Sequence, residues 1–173
     1  NSGTTDLRGS NLAWQSMIIN QNNGNFDIRD TVLSLTSSSQ LNWNSNSLDS
    51  NTNTQLTLTA SSFDVSTSAS KTFSGKLALT SGSSFESDNG FTFNGGDVSA
   101  IQSSTMVFNS DITFSNTLLS TSANSQVTQS SGDFTIQTSA QSTLAGTWSV
   151  SGDDFHLHNN IAITGGSFTV FPD

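Results

Sequence analysis

Asp153-Asp154-Phe155-His156-Leu157-His158 is the densest run of chemically capable side chains in this sequence. If Phe155 and Leu157 turn to one side of a strand, Asp154, His156 and His158 share the other, because successive side chains of an extended chain alternate. A His-x-His pair with a carboxylate beside it can chelate a transition metal. Asp111 and Asp133 precede comparable apolar pairs, so the series Asp111, Asp133, Asp154 returns at an interval of about 21 residues. Stacked one strand spacing apart, such carboxylates can hold Ca²⁺. The simpler reading is a solvated edge, since a clear third ligand for the two histidines is lacking. No cofactor is required by the sequence, and these two metal readings are the candidates it offers.

Those residues belong to a ladder. Phe91-Thr92-Phe93, Ile112-Thr113-Phe114, Phe134-Thr135-Ile136 and Phe155-His156-Leu157 each read apolar, polar, apolar, and they recur about 21 residues apart. Alternation with period two describes a strand with one buried face, and its return at a fixed interval describes one strand per structural repeat. Two further series run between the rungs. One holds Leu33/Leu35, Leu56/Leu58, Leu77/Leu79, Val98/Ala100, Leu118, Leu144 and Ile161/Ile163. The other holds Leu41/Trp43, Phe63/Val65, Phe85, Met106/Phe108, Val127, Trp148/Val150 and Phe168/Val170. Three short strands per turn give an all-β fold: a parallel β-helix, or β-solenoid, roughly triangular, with about 21 residues per coil and seven to eight coils. Residues 1–11 read as a polar, loose or capping N-terminal segment, and residues 12–173 as a single solenoid domain.

Asn89-Gly90, Ser131-Gly132 and Ser151-Gly152 each precede a strand of the ladder, where a sharp corner asks for a residue free to adopt positive φ. The pattern weakens over Ser66–Phe73 and Leu118–Leu144, where irregular corners or a bulge are expected. A helix is excluded because apolar residues never recur at helical spacing over three turns. An antiparallel sandwich also uses short alternating strands, but it has no reason to return the same residue class at one fixed interval.

Outward positions carry hydroxyls. Thr57/Thr59 lie between and after inward leucines, with Ser34/Thr36, Ala78/Thr80 and Ala162/Thr164 in equivalent places, while Thr92, Thr113 and Thr135 rise along the ladder. Such arrays resemble the ice-contacting surface of antifreeze β-helices, which makes ice binding an alternative function. Threonine also simply suits the exposed side of a strand. Parallel β-helices host glycan-binding and glycan-cleaving proteins too, but the acids here are scattered over corners, the basic residues do not gather in the repeat, and no Gly-x-Ser-x-Gly occurs. The expectation is that the chain is not an enzyme.

Composition narrows the partners. Of 173 residues, 32% are hydrophobic and 10% charged, with 12 Phe and one Pro. A disordered chain of such low hydrophobicity would carry more charge or more proline. The net charge of −9 arises from having four basic residues, Arg8, Arg29, Lys71 and Lys76. Nucleic acid and anionic membranes both ask for a basic stripe, so neither is an expected partner. No run approaches the ~20 apolar residues of a membrane-spanning helix. Cysteine is absent, so stability must come from backbone ladders and stacking. Scarce lysine with abundant Ser, Thr and Asn fits an extracellular or cell-surface location. With neither a signal peptide nor a transit peptide visible, the chain is expected to start after a cleaved leader or to be a fragment. The last strand, ending at Phe171, runs into Pro172-Asp173 without an amphipathic cap, so the end of the rod is expected to meet another coil.

The coil length, the Ser/Thr/Asn-rich surface, the missing cysteines and Phe93-Asn94-Gly95-Gly96 together resemble the passenger solenoids of bacterial autotransporters and filamentous adhesins. The resemblance implies a non-enzymatic structural or adhesive role at a cell surface. The expected partners are the chain itself, head to tail through its ends, and glycans of a host surface or matrix.

Overall fold

A computed structural model of the chain describes residues 4–44, 47–138, 141–158 and 161–171. The predicted solenoid is what it shows: parallel sheets on three sides wind around a common core in about eight coils. The first sheet stacks eight strands, Asn11–Gln15, Val32–Thr36, Gln55–Thr59, Lys76–Thr80, Asp97–Ala100, Leu118–Thr121, Ser142–Leu144 and Ile161–Ile163. The second stacks another eight, Ile18–Gln21, Gln40–Trp43, Ser62–Val65, Ser84–Ser87, Thr105–Phe108, Gln126–Gln129, Thr147–Ser151 and Ser167–Phe171. The third side is broken into two pieces. Thr5–Asp6, Asn25–Asp27 and Ser47–Asp49 form one, and Lys71–Phe73, Phe91–Asn94, Ile112–Ser115, Phe134–Gln137 and Phe155–His158 form the other.

Register places like on like. Phe93 pairs with Phe114, Phe114 with Ile136, and Ile136 with Leu157. Leu33, Leu56, Leu77 and Val98 form one inward column of the first sheet, and Leu41, Phe63, Phe85 and Met106 one of the second. Aromatic rings then touch along the axis from Trp43 through Phe63, Phe85, Phe93, Phe114, Phe134 and Trp148 to Phe168, with centroids 5.1 to 6.5 Å apart. Each such contact is worth about 0.5–1.5 kcal/mol beyond the area it buries. One contiguous core therefore forms from a small share of apolar residues.

The corners differ from expectation in an instructive way. Gly132 does take a positive φ of 77°, but Gly90 and Gly152 do not. Their requirement is close approach: a Cβ on Gly90 would lie 2.6 Å from Ser70 Oγ, and one on Gly152 would strike the Gly132 carbonyl oxygen in the coil below. Among residues other than glycine, positive φ clusters on serine and its neighbours at the turn from first to second sheet, at Ser16, Ser37, Ser38, Ala60, Ser81, Gln102 and Ser103. Just after these turns, Ser39, Ser61, Ser83, Ser104 and Ser125 are buried in a column. Ser39 Oγ donates to Thr36 O at 2.7 Å, Ser83 Oγ to Thr80 O at 2.5 Å and Ser104 Oγ to Ile101 O at 2.6 Å, closing the turn. Ser125 Oγ reaches back to Ala100 O in the coil before it at 2.5 Å.

One further departure concerns register. The apolar position assigned to Leu118 belongs to Leu119, which pairs with Val98 and is fully buried, while Leu118 pairs with Asp97 on the outer side. A corner of only Asn116 and Thr117, with Asn116 at φ 51°, sets that phase. Thr5–Asp6 of the polar N-terminal segment form a strand on Phe26–Asp27, so that segment contributes to the third side. The irregularity expected over Ser66–Phe73 is a corner running from Ser66 to Ser70, at the break in the third side. Phe73 lies beyond it, opposite Phe93. Pro172 and Asp173 lie outside the described residues.

The phase at Leu118 and Leu119 is testable by substitution. Leu119→Ala removes a fully buried side chain and should cost about 2–5 kcal/mol, whereas Leu118→Ala should stay within about 0.5 kcal/mol. Thermal unfolding followed by far-UV circular dichroism measures both, and a larger loss at Leu118 than at Leu119 would return the inward place to Leu118.

Candidate functional site

The Asp/His run sits on the outermost strand of the third side. Asp154, His156 and His158 are all exposed there. His156 Nε2 is 3.9 Å from Asp154 Oδ2, and the two imidazole rings lie 6.1 Å apart between centroids. Among the described residues no group of three His, Cys, Asp or Glu side chains is close enough to hold a metal ion. The carboxylate series Asp111, Asp133 and Asp154 does stack, each carbonyl accepting the N–H of Phe91, Ile112 or Phe134 at 2.8 Å. At least one of these side chains is otherwise engaged: Asp111 Oδ1 accepts the backbone N–H of Asp133 at 2.9 Å, capping the next coil.

The hydroxyl arrays fall on two different sheets. Thr92, Thr113 and Thr135 form one outward column of the third side, which Thr72 begins and His156 ends. Thr57 and Thr59 lie on the first sheet. Thr59 stands between Thr36 and Thr80, its Oγ1 3.2 Å from that of Thr80. Thr57 belongs to an outward column of small side chains, Ala13, Ser34, Thr57, Ala78, Ser99, Ser120, Thr143 and Ala162, that crosses every strand of the sheet.

A polar groove on the second sheet was not apparent from the sequence. Its outward column runs Asn20, Asn42, Asp64 and Glu86, one per strand, beside Asn44, Ser66 and Asp88. Asn42 Nδ2 donates to Asn20 Oδ1 at 2.7 Å, which begins an amide ladder along the axis. Asp64 continues it with a charge. Burial pushes its carboxyl above the usual carboxylate range, and the facing charges of Glu86 and Asp88 push it the same way. Asn109 Nδ2 bridges the other two, 3.1 Å from Glu86 Oε1 and 3.2 Å from Asp88 Oδ1. The signal was available as the perfectly even spacing of Asn20, Asn42, Asp64 and Glu86 along the chain.

The four cations are already engaged, so none softens this acidic stretch. Arg8 grips Asp6 and Arg29 grips Asp27, each pair at 2.6 Å, in an Asp-x-Arg unit that recurs after one coil. The Arg8 side-chain hydrogen bonds hold the Asp6 carboxyl down to about 2. Lys76 pairs with Asp97 at 3.2 Å, and Lys71 Nζ lies 5.9 Å from the Trp43 ring centre. The outer surface is thus hydroxyl, carboxamide and carboxylate, arranged in straight columns. No helix is long and apolar enough to cross a membrane among the described residues.

This architecture defines a β-solenoid, and nothing more specific comes from likeness to other proteins. No protein-family model matches the chain, and neither a curated protein nor a solved structure matches it.

Asp64→Asn should raise stability at neutral pH by removing the repulsion and extending the amide ladder. A carboxyl whose folded pKa is raised destabilises the fold fully above that pKa and not at all below its unfolded value. The gain should therefore shrink as pH falls through the raised pKa towards the ordinary carboxylate range. Melting temperatures of the two proteins across that interval measure it, and a pH-independent difference would contradict the electrostatic cause.

Proposed function

We propose that this chain is a non-enzymatic extracellular β-solenoid with a structural or adhesive role, assembling end to end or forming part of a longer rod. The observation that carries this reading is at the ends. Interior coils bury their apolar columns, while the half-covered core side chains are Leu7, Leu12, Trp14 and Ile19 in the first coil and Phe155, Ile161 and Phe168 in the last. Leu157, Ile163 and Val170 of the last coil are 39%, 56% and 42% exposed although they continue buried columns. Edge strands with bare apolar side chains are ordinarily paired or capped. The sides favour display over chemistry, since straight columns of hydroxyls and carboxamides suit many weak contacts with glycans of a matrix or cell surface. A lysine-poor, cysteine-free composition supports the extracellular location.

Sedimentation velocity and negative-stain electron microscopy over a concentration series test the reading. One chain gives a rod of roughly 38 Å at eight strand spacings, and particles in multiples of that length are expected. Single-chain particles at every concentration would remove the end-joining role.

A second reading rests on the first sheet, where the unbroken column of small side chains lies beside Thr36, Thr59 and Thr80. A regular, uncharged hydroxyl and methyl array of that kind suits ordered water. Ice binding would appear as thermal hysteresis that Thr57→Lys abolishes; freezing without hysteresis ends this alternative.

A further inference from the structure

We propose that the break in the third side is a binding site for a neutral saccharide, held in the cleft between Ser47–Asp49 and Lys71–Phe73. This rests on the adhesive reading above and gives it a site on the flank of the rod. The break has a cause in the lengths of the corners. The corner before Lys71, Ser66 to Ser70, has five residues, where those before Phe91 and Ile112 have three. The corner after Phe73 has two, Ser74 and Gly75, where the one after Asp49 has five. Lys71–Phe73 is thereby carried towards the first sheet, out of line with Ser47–Asp49, and the ladder that joins the remaining neighbouring strands of this side lapses there.

The cleft so opened holds about 380 Å³ and is lined by Arg29, Leu48, Asp49, Ser50, Thr72 and Ser74, a size suited to a small ligand. Its backbone walls are polar. Ile28 N–H donates to Asp49 O at 2.8 Å, so the Asp49 carbonyl faces the coil before it, and alternation along the strand turns the amide and carbonyl of Leu48 into the break. Lys71 N–H donates to Gly90 O at 2.8 Å in the coil after it, so Thr72 turns its amide and carbonyl back towards the break. At one end the walls meet. Ser74 N–H donates to Ser50 Oγ at 2.8 Å, and a Cβ on Gly75 would lie 2.8 Å from Asn51 O. The cleft is therefore a wedge, closed towards the first sheet. An inserted peptide strand would need a full strand spacing to both walls along its length, which the closed end denies.

The side chains select among smaller ligands. Arg29 commits Nε and Nη2 to Asp27, at 3.0 and 2.6 Å, which leaves the donors of Nη1 for a ligand. Asp49 adds a carboxylate acceptor, and the hydroxyls of Ser50, Thr72 and Ser74 can both donate and accept. A pyranose carries adjacent hydroxyls that donate to a carboxylate while accepting from a guanidinium, and its C–H face can rest on Leu48. A polyanion would meet Asp27 and Asp49 around the one guanidinium, on a chain of net charge −9. A metal ion lacks a ligand set, since no group of three His, Cys, Asp or Glu forms among the described residues.

Two-dimensional amide spectra of the isotope-labelled chain, titrated with maltotriose, cellotriose and chitotriose and with trigalacturonate as an acidic arm, test the site. At least one neutral trisaccharide should shift the Leu48 and Thr72 amides saturably, and trigalacturonate should not. Thr72→Arg, which fills the mouth of the wedge, and Asp49→Ala should each weaken binding by about tenfold or more. Thr113→Arg makes the same change two coils along the same outward column and should bind as the parent does, with circular dichroism showing all three variants folded. Saturable shifts at Asn42 and Asp64 in place of Leu48 and Thr72, or binding that survives either cleft substitution, would overturn this site and leave a glycan-binding rod. Binding of trigalacturonate alone would overturn the neutral ligand. No saturable shift with any of these sugars would overturn the site and the glycan contact together, leaving end-joining to stand or fall by sedimentation.

Discussion

Parallel strands held in register, one coil above another, are the constraint on which everything else in this molecule depends. Because the ladder repeats once per coil, each inward side chain has the equivalent residue of the next coil as its immediate neighbour. A column must therefore agree in size and polarity along its length. Polar residues enter these columns where their hydrogen bonds can be met locally. Gln21 receives the Thr5 hydroxyl at 2.9 Å and donates to Asn23 O at 2.8 Å. Gln129 Nε2 gathers the carbonyls of Ser110, Ser131 and Gly132, although its Oε1 has no partner among the described residues.

The same constraint explains a composition that looks poorly suited to folding. Coils one strand spacing apart leave little room at a corner, and the corner from third to first side solves this in two ways. Thr31, Thr54 and Thr117 are buried there and donate to Leu7 O, Ile28 O and Phe93 O in preceding coils, at 2.7 to 3.0 Å. Gly75 and Gly96 occupy the equivalent place in intervening coils, and a Cβ on Gly96 would collide with the Gly75 carbonyl. Hydroxyls that tie coil to coil and glycines that let coils close are thus part of the core's construction. Much of the serine, threonine and glycine content is structural as well as solvating.

The architecture was legible because two independent signals coincided: alternation within each strand, and the return of Phe, Leu or Ile at one coil length. Where either signal was degenerate, the reading failed. Leu118 and Leu119 are adjacent leucines, so alternation could not choose between them, and the short corner at Asn116 and Thr117 decides. The buried serine column was invisible because serine reads as surface until the fold shows five of them stacked beneath the turn. Gly90 and Gly152 were recognised as necessary but for the wrong reason, since closeness between coils, unlike backbone conformation, leaves no local mark. The acidic groove shows the same limit: Asp64 and Glu86 are a full coil apart in sequence and direct neighbours in space, a relation that exists only once the coil length of that region is known.

Electrostatics then distinguishes the sides of the rod from its ends. Its sides are negative or neutral, with the four cations paired or packed against a ring, so two rods approaching side by side meet like charge within the ~8 Å screening length of physiological salt. Strand edges, the usual route to uncontrolled association, face along the axis, where the uncharged first and last strands of both eight-stranded sheets lie. This distribution of charge is what the proposed end-to-end role would require, with repulsion at the flanks and uncharged strands at the ends of these two sheets. The separation holds because outward positions carry the carboxylates while the edge strands of these two sheets carry none, an arrangement that an aggregation-prone solenoid of the same core would lack.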